Sequence, residues 1–173
     1  MYVRMNNANH ELVLLRHGKA ETHLHCSDIE RDLTETGCER TFNIASYMTS
    51  QQLVPDTIIS SSAKRAIATA NIVCDVFSID SDTIDVRAAL YNADWHEVLN
   101  IVQQIPDTVM RVLLVGHNPA FEVLVEQLVS TAVDDIHLSP SSMARLTFDG
   151  KWSDLSSGQC QLLSIMHAQE LVV

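Results

Sequence analysis

Leu14-Leu15-Arg16-His17-Gly18 closes an apolar run that begins at Leu12 in Glu11-Leu12-Val13-Leu14-Leu15. Four consecutive apolar residues read as a buried strand, and the Arg-His pair marks where that strand leaves the core. Two later stretches repeat the arrangement. Thr57-Ile58-Ile59-Ser60 runs into Ser61-Ser62-Ala63-Lys64-Arg65, and Val112-Leu113-Leu114-Val115 runs into Gly116-His117-Asn118-Pro119. Ligands bind at such strand ends in open α/β sheets. The three exits present Arg16, His17, Arg65 and His117, a set of side chains suited to holding and transferring a phosphoryl group.

Working outward, helical and strand-like segments alternate along the whole chain. Lys19 to Asp32 is a polar segment, expected to be a loop over the site. A helix is predicted from Thr36 to Gln52, with Cys38, Phe42, Ala45 and Met48 at helical spacing and Pro55 ending the region. A second helix is predicted from Ala63 to Phe77, with Ile67, Ala70, Val73, Cys74 and Phe77 as its apolar face. The acidic stretch Ile79 to Asp85 is irregular, with a short strand through Thr83 to Val86. Asp94-Trp95-His96-Glu97 has the form of a capping box and starts a helix that Pro106 stops. Asn118 is expected to cap a further helix, with Pro119 in its first position. Strands around Ala144 to Phe148 and Gln161 to His167 complete a mostly parallel sheet in a three-layer α/β/α sandwich.

With 173 residues, 46% of them hydrophobic and 19% charged, the chain suits one globular domain with a core of ordinary size. Its net charge of −11 argues against nucleic-acid backbones and anionic membranes as partners. The charge is uneven: residues 1–77 are net −2 and residues 78–173 net −9, so the arginines proposed to bind an anion lie in the less acidic part. Cys26, Cys38, Cys74 and Cys160 form no C-x-x-C pair, which reads as reduced thiols. The polar start, Met1 to Asn7, is no secretory segment, and no apolar stretch is long enough to span a membrane, so the protein is expected to be cytoplasmic.

The recurrence of strand-then-His at Gly116-His117 gives Arg16 and His17 more weight than a lone Arg-His-Gly would have. A helix start offers free N–H groups to an anion. Arg65 falls in the first turn of a predicted helix, where a cation opposes the helix dipole and a purely structural account would not choose it.

Leu15-Arg16-His17-Gly18-Lys19-Ala20-Glu21, Arg31-Asp32-Leu33-Thr34-Glu35-Thr36-Gly37, the stretch from Ser60 to Ala70, and Val115-Gly116-His117-Asn118-Pro119 resemble, in order and spacing, the histidine phosphatase superfamily. Within it, the small SixA-type phosphohistidine phosphatases are the nearest branch. The resemblance runs from about Glu11 to His167 and implies a phosphoglycerate mutase-like fold, one domain over residues 1–173 with 1–10 as an N-terminal extension. It also implies that His17 is the nucleophile and forms a phosphohistidine intermediate that water hydrolyses. Arg16 and Arg65 would clamp the equatorial oxygens and His117 would donate to them, with no metal and no other cofactor. Arg31 would be a further phosphate or substrate contact, beside the reading of a surface arginine paired with Glu30 or Asp28. Gly18, Asn92 and Asp94 complete the substrate-binding candidates.

The chain departs from the superfamily pattern at the general acid. In the resemblance, many members that cleave phosphate esters carry a glutamate at the place aligned with Leu90-Tyr91-Asn92, and Asn92 cannot act as an acid. Asp94 is the nearest carboxylate, and its capping box already gives it a structural role. An imidazole leaves a phosphoramidate more easily than an alkoxide leaves an ester. The expected substrate is therefore a phosphorylated histidine on a partner such as a histidine-phosphotransfer domain or a phosphotransferase-system carrier. The alternatives are a phosphatase of small phosphate esters and a non-catalytic phosphate-binding module. His23, His25 and Cys26, with His10 nearby, lack the spacing of a metal site, and Trp95 and Trp152 read as packing residues. No G-x-S-x-G pattern surrounds Ser60, Ser61 or Ser62, which excludes a serine hydrolase elbow.

Overall fold

Strand β1 (His10–Arg16) lies inside a six-stranded sheet of order β3-β2-β4-β1-β5-β6. The structure, a computed structural model, describes residues 9–22, 26–131, 133 and 135–171. The other strands are β2 (Thr57–Ser61), β3 (Asp85–Arg87), β4 (Arg111–Gly116), β5 (Ser142–Phe148) and β6 (Gln161–His167). β1 to β4 are mutually parallel, while β5 and β6 run antiparallel at the other edge. β1 begins at His10, one residue before Glu11.

Alternation along β1 sorts its side chains into two layers. Val13 and Leu15 pack with helices α1 (Glu35–Ser50) and α2 (Lys64–Phe77), whereas Leu12 and Leu14 pack with α3 (Trp95–Val102) and α4 (Ala120–Leu128). The result is the expected α/β/α sandwich. From β1 the chain crosses to β2 through α1, and from β4 it crosses to β5 through α4, so the connections that leave the adjacent strands β1 and β4 run in opposite directions. A crevice opens outside the carboxyl ends of β1 and β4, the usual ligand position in such sheets. At the opposite end, Glu11 accepts from Arg111 Nη2 of β4 at 2.8 Å and from Arg145 Nε of β5 at 2.7 Å.

Helix α1 differs from its predicted face. Its buried residues are Gly37, Thr41, Ile44, Ala45 and Met48, while Cys38 is exposed and Phe42 is 53% exposed. The chain fixes this rotation at Gly37: a Cβ there would lie 2.1 Å from the Lys19 carbonyl oxygen, so only glycine lets the first turn approach the segment after β1. Thr34 caps the helix, accepting from Gly37 N at 3.0 Å. Helix α2 buries Ala66, Thr69, Ala70, Val73 and Cys74, with Ile67 and Phe77 only half-buried.

The capping box of α3 is present, with Asp94 accepting from Glu97 N and Glu97 from Asp94 N. Helix α4 departs from expectation: Pro119 occupies the N-cap itself, after a cis Asn118–Pro119 peptide. Asn118 is no cap; its amide donates to the Leu138 carbonyl at 2.9 Å. Trp152 is fully buried with its indole N–H on the Val109 carbonyl, and Trp95 is partly buried against the α3–α4 layer.

Candidate active site

A cavity of about 400 Å³ occupies the crevice, lined by residues including Arg16, His17, Lys19, Arg31, Arg65 and His117. Three of the strand exits read from the sequence supply it. His17 follows β1 and is tied to β4 by its N–H on the Gly116 carbonyl at 3.1 Å; His117 follows β4; Arg65 sits in the first turn of α2. Tyr91, Asn92 and Asn118 add polar groups. Among the described residues, four cationic side chains line the cavity and no carboxylate does.

The imidazole of His17 is locked in one tautomer. Its Nδ1 lies 2.7 Å from the Gly18 carbonyl oxygen, which can only accept, so Nδ1 carries the proton. Its Nε2 receives Arg65 Nε–H at 3.2 Å and therefore holds a lone pair. Burial lowers the pKa of His17 to about 3, helped by the charges of Arg65 and Arg16 and opposed by the bond to Gly18. The ring is neutral at any ordinary pH, with a nucleophilic nitrogen facing guanidinium groups. Gly18 positions the ring and does not line the cavity: its N–H donates to Thr69 Oγ1 at 3.0 Å, anchoring the turn to α2.

Arg16 reaches the Leu138 carbonyl through Nη1 at 2.7 Å, while its buried Nε has no hydrogen-bond partner among the described residues. A buried donor left unpaired costs about 1–3 kcal/mol, which an anion in the cavity would relieve. Glu122 stabilises this wall by accepting from Leu138 N at 2.7 Å. His117 Nε2 lies 2.8 Å from Ser61 Oγ, and its ring centroid is 5.0 Å from that of His17. Burial, together with Arg65, lowers the pKa of His117 to about 4.

The predicted polar loop contributes a residue that the sequence reading weighed only as a partner for Arg31. Asp28, in a single 3₁₀ turn (Asp28–Glu30), accepts from Arg65 Nη2 at 3.0 Å, Arg31 Nε at 3.0 Å and the Tyr91 hydroxyl at 2.7 Å. Its backbone carbonyl accepts from Arg65 Nη1 at 2.6 Å. Burial pushes the carboxyl upward, but the bonds from Tyr91, Arg65 and Arg31 outweigh it and hold Asp28 well below the usual carboxylate range. Arg31 thus both lines the cavity and pairs with Asp28, while Glu30 bonds Ser27 instead. Tyr91 and Ser61 were also missed, since a tyrosine near a strand end and a serine in a Ser-Ser-Ser run carry no local signature.

Asn92 lines the cavity, but Asp94 does not; its exposed carboxylate serves the capping box. His10 belongs elsewhere, between Phe148 and Trp152, with its ring nitrogens near the Gly150 and Asp107 carbonyls. His23 and His25 lie outside the described residues. Among the described residues no group of His, Cys, Asp and Glu is arranged to hold a metal, and no helix is long and apolar enough to cross a membrane.

The profile of the histidine phosphatase superfamily (branch 1) matches residues 12–106. No protein of curated function matches the sequence significantly. Among solved structures, a protein histidine phosphatase SixA complexed with tungstate aligns with TM-score 0.81 and 24% identity over 94% of this chain and 99% of its own. SixA of Nakamurella multipartitia aligns with TM-score 0.80 and 24% identity, covering 92% of this chain and 96% of its own. SixA of Agrobacterium tumefaciens gives TM-score 0.76 and 27% identity, covering 91% and 97%.

Proposed function

The chain belongs to the histidine phosphatase superfamily, and from that membership we propose that it is a phosphohistidine phosphatase acting through a covalent intermediate on His17. His17 Nε2 attacks phosphorus in line, while Nδ1–H stays on the Gly18 carbonyl and supports the positive charge that develops on the ring. Arg65 Nε–H turns from the imidazole to an equatorial oxygen as the phosphoryl group arrives. The unpaired Nε of Arg16 takes a second oxygen, and His117 donates to the same oxygens as charge builds in the transition state. Water then hydrolyses the phosphohistidine, and the site returns to its starting state.

One observation carries the choice of substrate: among the described residues no carboxylate lines the cavity to protonate a departing alkoxide. Asn92 stands where ester-cleaving relatives hold a glutamate, and Asp94 is committed to its cap. A phosphoramidate needs no such acid. The SixA relatives, one of them a protein histidine phosphatase, support the same substrate class. The substrate is then a phosphorylated histidine on a transfer protein or carrier. Four free cysteines, Cys26 and Cys38 exposed, suit a reducing cytoplasm.

The test is phosphate release from a phosphohistidine-bearing transfer protein and, in parallel, from a panel of phosphate esters, for wild type and His17→Ala with chelator present. Release that is dominated by phosphohistidine and disappears in the variant is the expected result. Cleavage of esters alone would assign the small-ester activity instead, and phosphate binding without turnover would assign a binding module.

A further inference from the structure

Tyr91 lines the cavity edge-on to His117, with ring centroids 5.9 Å apart. It belongs to the stretch Leu90-Tyr91-Asn92 that aligns with the superfamily's proton donor, and its own proton is already committed. A phenol has a single O–H. That hydrogen points at Asp28 Oδ2, 2.7 Å away, and Asp28 is also gripped by Arg65 and Arg31, two cations that do not release protons. What the Tyr91 oxygen retains for the cavity is lone pairs. The neighbouring Asn92 offers an amide and no acid. Among the described residues, this end of the cavity can take a hydrogen bond and has no acidic proton to give.

We infer that Tyr91, held by Asp28, is a specificity-determining acceptor for a leaving group that arrives with an N–H in place, the protonated imidazole ring of a phosphohistidine. The inference rests on the reading of the chain as a phosphohistidine phosphatase and says which protonation state of that substrate is recognised. In the first step a bond forms between His17 Nε2 and phosphorus. The P–N bond of the substrate breaks, and its electron pair stays on the substrate nitrogen. The other ring nitrogen is protonated from the start, so the departing group is neutral imidazole and no proton leaves the protein. Tyr91 Oη accepts that N–H before and after the bond breaks. An alkyl ester would depart as an alkoxide in want of a proton, which the Tyr91–Asp28 pair does not supply.

The experiment compares Tyr91→Phe with wild type on two small probes, phosphoimidazole and 4-nitrophenyl phosphate. The substitution keeps the ring and leaves Asp28 its bonds to both arginines. The ratio of kcat/KM for phosphoimidazole over 4-nitrophenyl phosphate is expected to fall about tenfold, the worth of one hydrogen bond to a charged partner. An unchanged or higher ratio overturns the inference, including the case where both rates drop together, because an equal loss means that Tyr91 only shapes the cavity. A second measurement needs no variant: across a series of aryl phosphates, wild-type kcat/KM should fall steeply as the departing phenol becomes more basic. A flat series would reveal an acid at work and overturn the inference. Failure of the underlying reading shows separately, as wild-type protein that releases no phosphate from phosphoimidazole.

Discussion

Arg65 Nε donates to His17 Nε2 across 3.2 Å, so a guanidinium carried by α2 points its N–H at the lone pair of the imidazole that follows β1. Two elements far apart in sequence meet on one nitrogen, and the bond keeps that nitrogen unprotonated while no substrate is present. Arg65→Lys keeps the charge but loses the fork that reaches His17 and Asp28 together. We expect kcat/KM on 4-nitrophenyl phosphate to fall about 100-fold. A loss under threefold would mean that charge alone suffices at this position.

Acid should weaken the fold before the carboxylates titrate. His17 and His117 have pKa values of about 3 and about 4 in the folded protein, against 6.5 when unfolded. Between these limits the unfolded chain binds protons that the native chain refuses, so stability is lost as pH drops through 6.5. Each histidine is expected to cost about 1.5 kcal/mol between pH 6.5 and pH 5. Urea melts at these two pH values measure the difference, and His117→Asn should remove about half of it. Equal stability at both values would contradict the neutral, buried state of the two rings.

Asp28→Asn preserves shape and removes charge. Arg65, Arg31 and Tyr91 would each lose an ionic partner, and kcat/KM is expected to fall about tenfold on 4-nitrophenyl phosphate and further on phosphoimidazole, where Tyr91 is no longer held as an acceptor. Steady-state kinetics on both probes decide the matter; wild-type rates in the variant would make Asp28 a bystander on the loop.

Two substitutions in α1 separate its true core face from its apparent one. Ile44→Ala empties a fully buried site and should cost about 3 kcal/mol, whereas Phe42→Ser, on a half-exposed ring, should change stability by under about 0.5 kcal/mol. Urea midpoints provide the comparison. Similar costs at both positions would mean that Phe42 is covered in solution.

The layers of this fold were legible because β1 and β4 contain continuous apolar runs, β2 carries the buried pair Ile58-Ile59, and their exits carry unusual polar residues. His17, Arg16, Arg65 and His117 converge on one cavity as their spacing suggested. The face of α1 was not legible, because Cys38, Phe42, Ala45 and Met48 fit a helical period as well as the true set does. Only the close approach of Gly37 to Lys19 decides between the two, and that contact is tertiary. Asp28 escaped for a similar reason. In sequence it is one acid among several in a polar loop, and its importance comes from Arg65 and Tyr91 folding onto it from 37 and 63 residues away.

The ion cluster at the foot of β1 bears on chemistry it never touches. Glu11 bridges Arg111 and Arg145, and so sets the stagger of three adjacent strands at the end remote from the cavity. A strand has only two sides, and sliding β1 by a single residue would send every side chain to the wrong one. Such a slip would strand the Glu11 carboxylate without its cations and, five residues on, turn Arg16 to the wrong face of the sheet. The proofreading of the catalytic end is thus done at the other end of the strand, by a charge that a misthreaded sheet could not satisfy.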